Sequence, residues 1–510
     1  MGTSACISAL LLLGCDADAI DAQVSPLGEG GEGATQEASA VFAMGETPKT
    51  AALGGPFGTD SVTVNGQVAG DYAGYAMTDV GDFNGDGYSD FVVGAYRAEF
   101  SSTNPSSGEA YLVTGGPWLA NLTAPLDLNW IDPHIVGIFG TNASDYLGRS
   151  VSGVGDVNGD GFDDFVVGAQ GADDAASGAG SAYIVLGNDS YGWGLFASSI
   201  RAGVRGVALD GDAASDYAGY SVGGAGDFNG DGLDDVIVAA PYADPGGKSG
   251  AGRVYIVFGQ SSWGPSGNAV VSLGTLAATG LGVEIAGEFA GGYLGYSVAG
   301  AGDFNADGFA DVVLGAYRAP SLTGVSYAGR VRVVLGQPSA GVIDLSNPSP
   351  GVFTVGGDAA YDYLGYSVAG GGDFNRDGFS DVVVGAPYVD TPGGSNVGAA
   401  TVVFGRDVAG ESVEASKLAP NGQGVVFHGE QPSDYFGRSV ALGGDFNDDG
   451  LADVAFGADG ADPSGSFSGR AYVAYGADDP AISSQPVLAV DLALGVGGTA
   501  LDGEIASDRA

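Results

Sequence analysis

Acidic side chains recur in this sequence at a spacing that suits a hard metal ion. Six segments share the pattern Asp-x-Asn-x-Asp-Gly-x-x-Asp, and the first runs through Asp82, Asn84, Asp86, Gly87 and Asp90. Oxygen atoms at positions 1, 3 and 5 converge only if the backbone curls around a centre, and the glycine at position 6 permits that sharp turn. Position 7 would add a backbone carbonyl, and position 9 would close the set with a carboxylate.

Calcium is the predicted ion, at about six sites, because it accepts about six to eight oxygen ligands with water completing the shell. The predicted ligands lie in six acidic loops, 82–90, 156–164, 227–235, 303–311, 373–381 and 445–453. They are Asp82, Asn84, Asp86, Tyr88, Asp90; Asp156, Asn158, Asp160, Phe162, Asp164; Asp227, Asn229, Asp231, Leu233, Asp235; Asp303, Asn305, Asp307, Phe309, Asp311; Asp373, Asn375, Asp377, Phe379, Asp381; and Asp445, Asn447, Asp449, Leu451, Asp453.

Other ions fit this ligand set less well. Magnesium requires octahedral geometry and retains its waters, and zinc or copper would require His or Cys ligands. The alternative without a metal is a set of Asx-turns, which also favour Asp, Asn and Gly. Six copies that keep every side-chain ligand favour the metal site.

The acidic loops also mark a long internal repeat. Their first aspartates are separated by 74, 71, 76, 70 and 72 residues. Each period contains four short apolar runs bounded by turn residues, as at 91–95 and 110–113, and no helical stretch separates them. A four-stranded unit cannot bury both faces alone and must stack on its neighbours. The sequence therefore predicts an all-β propeller of four-stranded blades; a β-solenoid, the alternative, normally has shorter coils.

The charge balance excludes several classes of function. The 510 residues include 62 acidic and 16 basic side chains, a formal net charge of −46. Binding to nucleic acid or to anionic lipid needs clustered Lys and Arg. The only histidines, His134 and His428, lie far apart in apolar runs, so the sequence offers no His-based catalytic group and no catalytic residue is predicted.

The N-terminus has the features of an export signal. Residues 5–13 form an apolar run too short to span a bilayer. It ends at Leu12-Leu13-Gly14-Cys15, which resembles the bacterial lipobox, so 1–15 is predicted to be a signal peptide with lipidation at Cys15. A plain secretory signal is the alternative. Residues 16–57 are predicted to be a flexible acidic linker and 58–510 the propeller. The expected location is the bacterial cell surface or outer membrane, or secretion, with membrane attachment only through the lipid.

The repeated motifs resemble a known family. Phe436-Gly437, Gly385-Ala386-Pro387 and the acidic loops together resemble the FG-GAP repeat of integrin α-subunit propellers and of many secreted bacterial proteins, over about residues 57–510. Phe is replaced by Leu or Ala in five copies, and Pro by Tyr, Gln or Asp in four. The resemblance implies calcium loops on one face of a seven-bladed propeller and ligand contacts from variable loops on the opposite face. No ligand site is transferred, because its residues lie outside the repeated motif.

The predicted function is a calcium-stabilised adhesion or ligand-binding module that is not an enzyme. An unknown protein or glycan would bind variable loops such as 97–107, 242–251 and 388–397. The repeated Asp-Tyr pairs, such as Asp71-Tyr72, are interpreted as turn and packing residues. The alternative is a carbohydrate-active propeller, either a lectin or a polysaccharide lyase or hydrolase, because paired carboxylates could serve a glycosidase.

The strand pattern also predicts a truncated seven-bladed ring with six complete repeats. A fourth-strand segment, 61–64, precedes the first acidic loop, and 502–509 matches 428–435 one period earlier. In the sixth repeat the matching segment leads into strand one and the loop. We therefore expect residues near 60–66 to pair with a third strand that this chain does not contain.

Overall fold

The computed structural model describes residues 20–26, 38–44, 61–68, 70–101, 103–119, 126–128, 132–190, 192, 194–263, 269–347, 351–407, 410–464, 468–477, 487–493 and 497–502. Its architecture is all-β. Six antiparallel sheets follow one another along the chain, one for each repeat, and form the six blades of a β-propeller. The fold predicted from the repeat is therefore confirmed. No helix in the described part of the chain is long and apolar enough to cross a membrane.

Each blade contains strands one to four in chain order, each paired with the next. First strands of successive blades contact one another, so they line the centre of the propeller. The first strands are Ala73–Gly81, Leu147–Gly155, Ser221–Gly226, Ser297–Gly302, Ser367–Gly372 and Ser439–Leu442. The second strands are Asp90–Ala95, Asp164–Ala169, Asp235–Ala240, Asp311–Ala316, Asp381–Ala386 and Val454–Ala458. The third strands are Glu109–Val113, Ser181–Val185, Arg253–Val257, Arg330–Val334, Ala399–Val403 and Arg470–Ala474. The fourth strands are Ile135–Phe139, Gly206–Asp210, Gly282–Ala286, Val352–Gly356, Gly424–His428 and Gly498–Asp502.

The outer edges of blades 1 to 5 carry a fifth strand that the repeat did not reveal. It comes from the connection between strands three and four of the next blade and pairs in parallel with strand four. These strands are Gly194–Phe196, Val270–Ser272, Gly341–Asp344, Ser412–Glu414 and Val487–Leu488. Short helices follow several of them, at Ala197–Arg201, Leu276–Thr279, Ala415–Leu418 and Ala489–Ala493, with 3₁₀ turns at Pro245–Gly247, Leu273–Thr275 and Ala419–Asn421. Each blade thereby covers the open edge of the preceding one.

The hydrophobic core lies between the blades. Alternate residues of a second strand face opposite neighbours, because successive side chains of a strand point to opposite faces. Val312 and Leu314 pack in the cluster shared with blade 3, whereas Val313 packs in the cluster shared with blade 5. All three side chains are fully buried. Such double-sided burial explains why the second strands are continuous apolar runs.

A further sheet, the N-terminal sheet, precedes blade 1. Ile20–Pro26 pairs with Ala38–Met44, which pairs with Ser61–Asn65, and Leu126–Asp127 adds a parallel outer strand. Val64 of this sheet is buried with Phe91 and Val93 of blade 1 in one apolar cluster. The N-terminal sheet thus has the pairing pattern of strands two to five of a blade.

Two predictions are corrected by this sheet. The flexible linker predicted over 16–57 is wrong at 20–26 and 38–44, where strands form. Residues 61–65 pair with 38–44 of the same chain, so the prediction that they would need a strand outside this chain is also wrong. The Gly-rich run at 28–33 favoured a linker, although small and β-branched residues lie on both sides of it. Residues 61–65 pair within the chain because an unpaired strand would leave its backbone groups unsatisfied. Residues 1–15 lie outside the described residues.

The glycines of the repeated motif, here called glycine joints, lie where neighbouring blades come into close contact. A Cβ on Gly385, in strand two of blade 5, would lie 1.9 Å from the carbonyl oxygen of Gly437 in blade 6. Gly94 stands in the same relation to Gly148, at 2.1 Å. Ser367 of blade 5 donates a hydrogen bond to the same Gly437 carbonyl at 2.9 Å. The blades approach so closely here that only glycine fits.

Candidate functional site

The acidic loops are wound tightly by their own side chains. In the first loop the Asp82 carboxylate accepts the backbone N–H groups of Asp86 and Gly87, each at 2.9 Å. Asn84 Oδ1 also accepts the Asp86 N–H at 2.8 Å, and Asp86 Oδ1 accepts that of Tyr88 at 3.0 Å. The corresponding bonds recur in the other five loops. Positions 1, 3 and 5 therefore face the inside of one turn, as the spacing predicts.

The position 9 aspartates lie at the base of each loop, at the start of strand two. All six are 0% exposed. Asp90 Oδ1 accepts the Gly115 N–H at 2.6 Å, and the five equivalents accept N–H groups of Gly187, Gly259, Gly336, Gly405 and Gly476. In those five loops the second carboxylate oxygen accepts a backbone N–H of its own loop. The Asp90 Oδ2 atom is buried and has no hydrogen-bond partner among the described residues.

In each loop a buried aspartate adjoins two less buried ones, and both its burial and their charges disfavour its charged form. Burial raises the pKa of Asp90 to about 8, with a further contribution from Asp86 and Asp82. The same causes raise the pKa of Asp164 and Asp381 to about 8. A cation would offset this repulsion, and a carboxylate oxygen that accepts one N–H keeps a lone pair for a metal. The donor set and its charge thus fit a hard divalent ion.

The acidic groups of a loop nevertheless stand apart. Across the described residues, no three His, Cys, Asp or Glu side chains lie close enough together to hold a metal ion by themselves. The set predicted for each loop also contains an asparagine and a backbone carbonyl.

The first five acidic loops are each hydrogen-bonded to the next blade. The Asp163 N–H donates to the Asp82 carbonyl at 3.4 Å, and Asp163 Oδ2 accepts the Asp82 N–H at 2.7 Å. The backbone bond recurs between all successive blades, from Asp234, Ala310, Ser380 and Ala452 to the first aspartate of the preceding loop. The loops and the glycine joints therefore connect the same blades from two sides.

A second feature, the tyrosine belt, lies at the opposite ends of the second strands. Strand two of blade 1 starts at Asp90 in the acidic loop and ends at Ala95, directly before Tyr96 of the belt. The belt comprises Tyr72, Tyr75, Tyr96, Tyr146, Tyr217, Tyr220, Tyr242, Tyr293, Tyr296, Tyr317, Tyr363, Tyr366, Tyr388 and Tyr435. Adjacent ring centroids are 4.3–6.3 Å apart. The Arg149 guanidinium stacks on both Tyr75 and Tyr220 and links the two parts of the belt.

Six belt tyrosines share an uncommon backbone conformation. In each of the six repeats the tyrosine at this position has a φ of 53–57°, in the left-handed region, and in five of the repeats it follows an aspartate. The preceding aspartate supports the turn: the carboxylate of Asp145 accepts the Asn142 N–H, and that of Asp434 accepts the Gln431 N–H, both at 2.8 Å. The turn role predicted for these pairs agrees with this geometry. The contact between these rings was not predicted from the sequence, although tyrosine at the same position in all six repeats was the signal.

Other predicted residues have simpler environments. The loops 97–107, 242–251 and 388–397 leave strand two where the belt lies, and Tyr242 and Tyr388 belong to both. His134 stacks on Trp118, with centroids 4.1 Å apart, and His428 ends a fourth strand. Cys15 lies outside the described residues.

Fold and site together define a β-propeller whose blades each carry an acidic loop. The FG-GAP repeat model matches residues 78–113, 147–185, 218–257, 294–334, 364–403 and 436–474, one match per blade. The chain belongs to the FG-GAP repeat proteins, with a propeller of the integrin α type. The resemblance predicted from the motifs is confirmed.

Several curated proteins are similar to the chain over part of their length. Integrin alpha-5 of Xenopus laevis is 32% identical over 284 residues, which are 54% of this chain and 22% of that protein. Integrin alpha pat-2 of Caenorhabditis elegans is 31% identical over 48% of this chain and 18% of that protein. Phosphatidylinositol-glycan-specific phospholipase D of Rattus norvegicus is 36% identical over 26% of this chain and 15% of that protein. The chain thus spans about a fifth or less of these relatives.

Proposed function

We propose that this propeller is a calcium-stabilised adhesion or ligand-binding module that docks a protein partner on the tyrosine belt. The observation that carries the proposal is the belt itself. It gathers fourteen of the 23 tyrosines of the chain on one face. The sequence similarity to integrin α-subunits supports a binding role over a catalytic one.

Tyrosine is suited to this role. Its ring supplies a large contact area at low cost in side-chain entropy, and its hydroxyl can hydrogen-bond a partner. The left-handed backbone at six of the tyrosines is an unfavourable conformation for a residue with a Cβ, and such strain clusters at binding sites. Burial raises the pKa of Tyr220 and Tyr296, so both hydroxyl groups stay protonated, and that of Tyr296 donates to the Tyr366 hydroxyl within the belt.

In this proposal calcium is held by the acidic loops, through the side chains at positions 1, 3, 5 and 9 and the carbonyl at position 7. When bound, the ion would supply positive charge against three carboxylates in each loop. The loops' own backbone N–H groups orient those carboxylates, and the hydrogen bonds from the next blade fix the positions of the first five loops. Calcium would therefore stabilise the contacts between blades rather than react with a ligand.

The proposal places the protein outside the cell. Residues 1–15 would direct export, and Cys15 would carry the lipid anchor at a bacterial cell surface. Calcium is plentiful there, so affinities of about 10⁻⁴–10⁻³ M suffice.

Calcium binding is tested by thermal melting in excess calcium and in EGTA. A ligand that binds only the native state stabilises it, so we expect chelation to lower the melting temperature by many degrees. Magnesium at equal concentration should restore little of the loss. Equal melting curves with and without EGTA would refute the calcium sites.

Partner binding is tested by selecting a phage-displayed random peptide library on the calcium-loaded protein. Selected peptides should bind the wild type, and Tyr242→Ala and Tyr317→Ala should weaken that binding. The matched control is Tyr88→Ala, which removes an exposed tyrosine from an acidic loop on the other face. Loss of binding in Tyr88→Ala alone would place the binding face elsewhere.

A further inference from the structure

Most arginines of the described residues are ion-paired, and three arginines of the belt are not. For example, Arg470 lies 2.9 Å from Glu430, and Arg253 lies 3.3 Å from Glu284. One of the ion-paired arginines, Arg438, adjoins Tyr366 and Tyr435 of the belt and lies 3.5 Å from Asp459. The ion-paired arginines are Arg201, Arg253, Arg330, Arg332, Arg406, Arg438 and Arg470. Three belt arginines, Arg97, Arg149 and Arg318, have no carboxylate within ion-pair distance among the described residues. In a chain with 62 acidic residues, unpaired arginines on one face require an explanation.

Two of these arginines adjoin the same pair of rings. The Arg97 guanidinium carbon lies 4.9 Å from the Tyr72 centroid and 5.5 Å from that of Tyr96. Arg149 lies 5.2 Å from the Tyr75 centroid and donates to the Tyr75 hydroxyl at 2.7 Å. The Tyr75 and Tyr96 centroids are only 4.6 Å apart. The two guanidinium groups therefore flank one tyrosine pair, where blades 1 and 2 meet.

This arrangement leaves donors for a ligand. A guanidinium group stacked on an aromatic ring keeps its N–H bonds in its own plane, where they can bind a carboxylate through two hydrogen bonds. Among the described residues the Arg149 side chain makes one hydrogen bond, which uses one of its five N–H donors, and Arg97 is exposed. Arg318 repeats the stacking on Tyr293 and Tyr317 in blade 4, at 5.4 Å from each centroid.

We propose that Arg97 and Arg149 receive a carboxylate from an acidic side chain of the protein partner. This inference rests on the proposed function and names the chemistry that the belt recognises. The net charge of −46 would repel a partner with a long run of acidic groups. One aspartate or glutamate among apolar or aromatic neighbours would instead gain the local bonds of both arginines and the contact area of the rings.

The test uses peptides selected from the same random library on the calcium-loaded full chain. We expect them to contain an aspartate or glutamate whose change to Asn or Gln weakens binding about tenfold, equal to about 1.4 kcal/mol. Arg97→Gln and Arg149→Gln should weaken binding by a similar factor. The charge-matched control, Lys417→Gln, alters an exposed lysine on the short helix Ala415–Leu418 and should leave it unchanged. Melting curves in calcium identify any variant that fails to fold, and Arg97→Gln alone then decides the outcome.

The outcomes separate this inference from the proposed function. The carboxylate site would be overturned, while the belt remains a docking face, by either of two results. Tyr242→Ala weakens peptide binding but Arg97→Gln does not, or the selected peptides contain basic rather than acidic residues. A library that yields no peptide sensitive to Tyr242→Ala or Tyr317→Ala would overturn both. Peptide binding that depends on an aspartate or glutamate of the peptide, and that both arginine variants weaken, supports the inference.

Discussion

Replacing Gly385 by alanine should separate blades 5 and 6. The added Cβ would lie 1.9 Å from the Gly437 carbonyl oxygen and 2.3 Å from Ser367 Oγ. Both neighbours are fixed, because Ser367 Oγ donates to that same carbonyl and the Gly437 N–H donates to the Gly457 carbonyl at 3.0 Å. The φ of Gly385 is not positive, so the clash and not the backbone conformation determines the effect.

The expected loss follows from three contributions. Overpacking of this kind costs about 1–3 kcal/mol, and loss of the Ser367 hydrogen bond adds about 0.5–1.5 kcal/mol. Alanine also reduces the conformational entropy of the unfolded chain, which offsets this loss of stability by about 0.4–1 kcal/mol. We therefore expect Gly385→Ala to lower the free energy of unfolding by roughly 0.5–4 kcal/mol, measured by urea denaturation in saturating calcium.

The sequence contains both a control and a natural parallel. Gly341 lies on an outer strand and a Cβ there would meet nothing within 4 Å, so Gly341→Ala should change stability by less than about 0.5 kcal/mol. In blade 3 the equivalent of Gly385 is Ala239, and among the described residues Ser221 makes no hydrogen bond to the next blade like that of Ser367. A Gly385→Ala variant as stable as Gly341→Ala would refute the assignment of these glycines as close inter-blade joints.

Three further predictions concern charge and the N-terminal sheet. Burial raises the pKa of Asp362 from 3.8 to about 6. Because this folded-state pKa is above the unfolded value, stability should fall as pH rises from about 4 through 6. In EGTA, Asp362→Asn should therefore make the melting temperature depend less on pH over this range. Six bound calcium ions would change the net charge from −46 to −46 + 12 = −34, so the protein should not be retained on heparin at moderate salt, and tight retention would contradict the charge argument. Amide hydrogen exchange should be slowed at 38–44, which pairs on both sides, and free exchange there would contradict the N-terminal sheet.

The sequence predicted the blade because each of its strands carries a local signal. Runs such as Val382-Val383-Val384 are apolar on both faces and end at Gly or Asp, and they form strands within one residue of the expected bounds. The acidic loops were predictable for the same reason, since the residues of one loop are adjacent in sequence. Their wound conformation follows from side chains that accept N–H groups two to five residues away.

Features that depend on neighbouring blades were not predictable from one repeat. The fifth strands are only two to four residues long, too short for a period to show, and they exist because the fourth strand of the preceding blade offers an open edge. The strands at 20–26 and 38–44 were missed for the same reason. The belt joins tyrosines from separate repeats, such as Tyr296 and Tyr366, which are 70 residues apart.

The two ends of the second strands are under different constraints, and this explains where the repeat is regular. At the loop end every blade needs the same turn and the same bond to its neighbour, so Asp, Asn and Gly recur without change. At the belt end the residue after strand two is Tyr96 in blade 1 but Gln170 in blade 2 and Asp459 in blade 6. A face that served only to join blades would repeat as the loops do. The irregular placement of arginine, glutamine and aspartate among the tyrosines instead gives each sector of the belt its own chemistry, as recognition of one asymmetric partner requires.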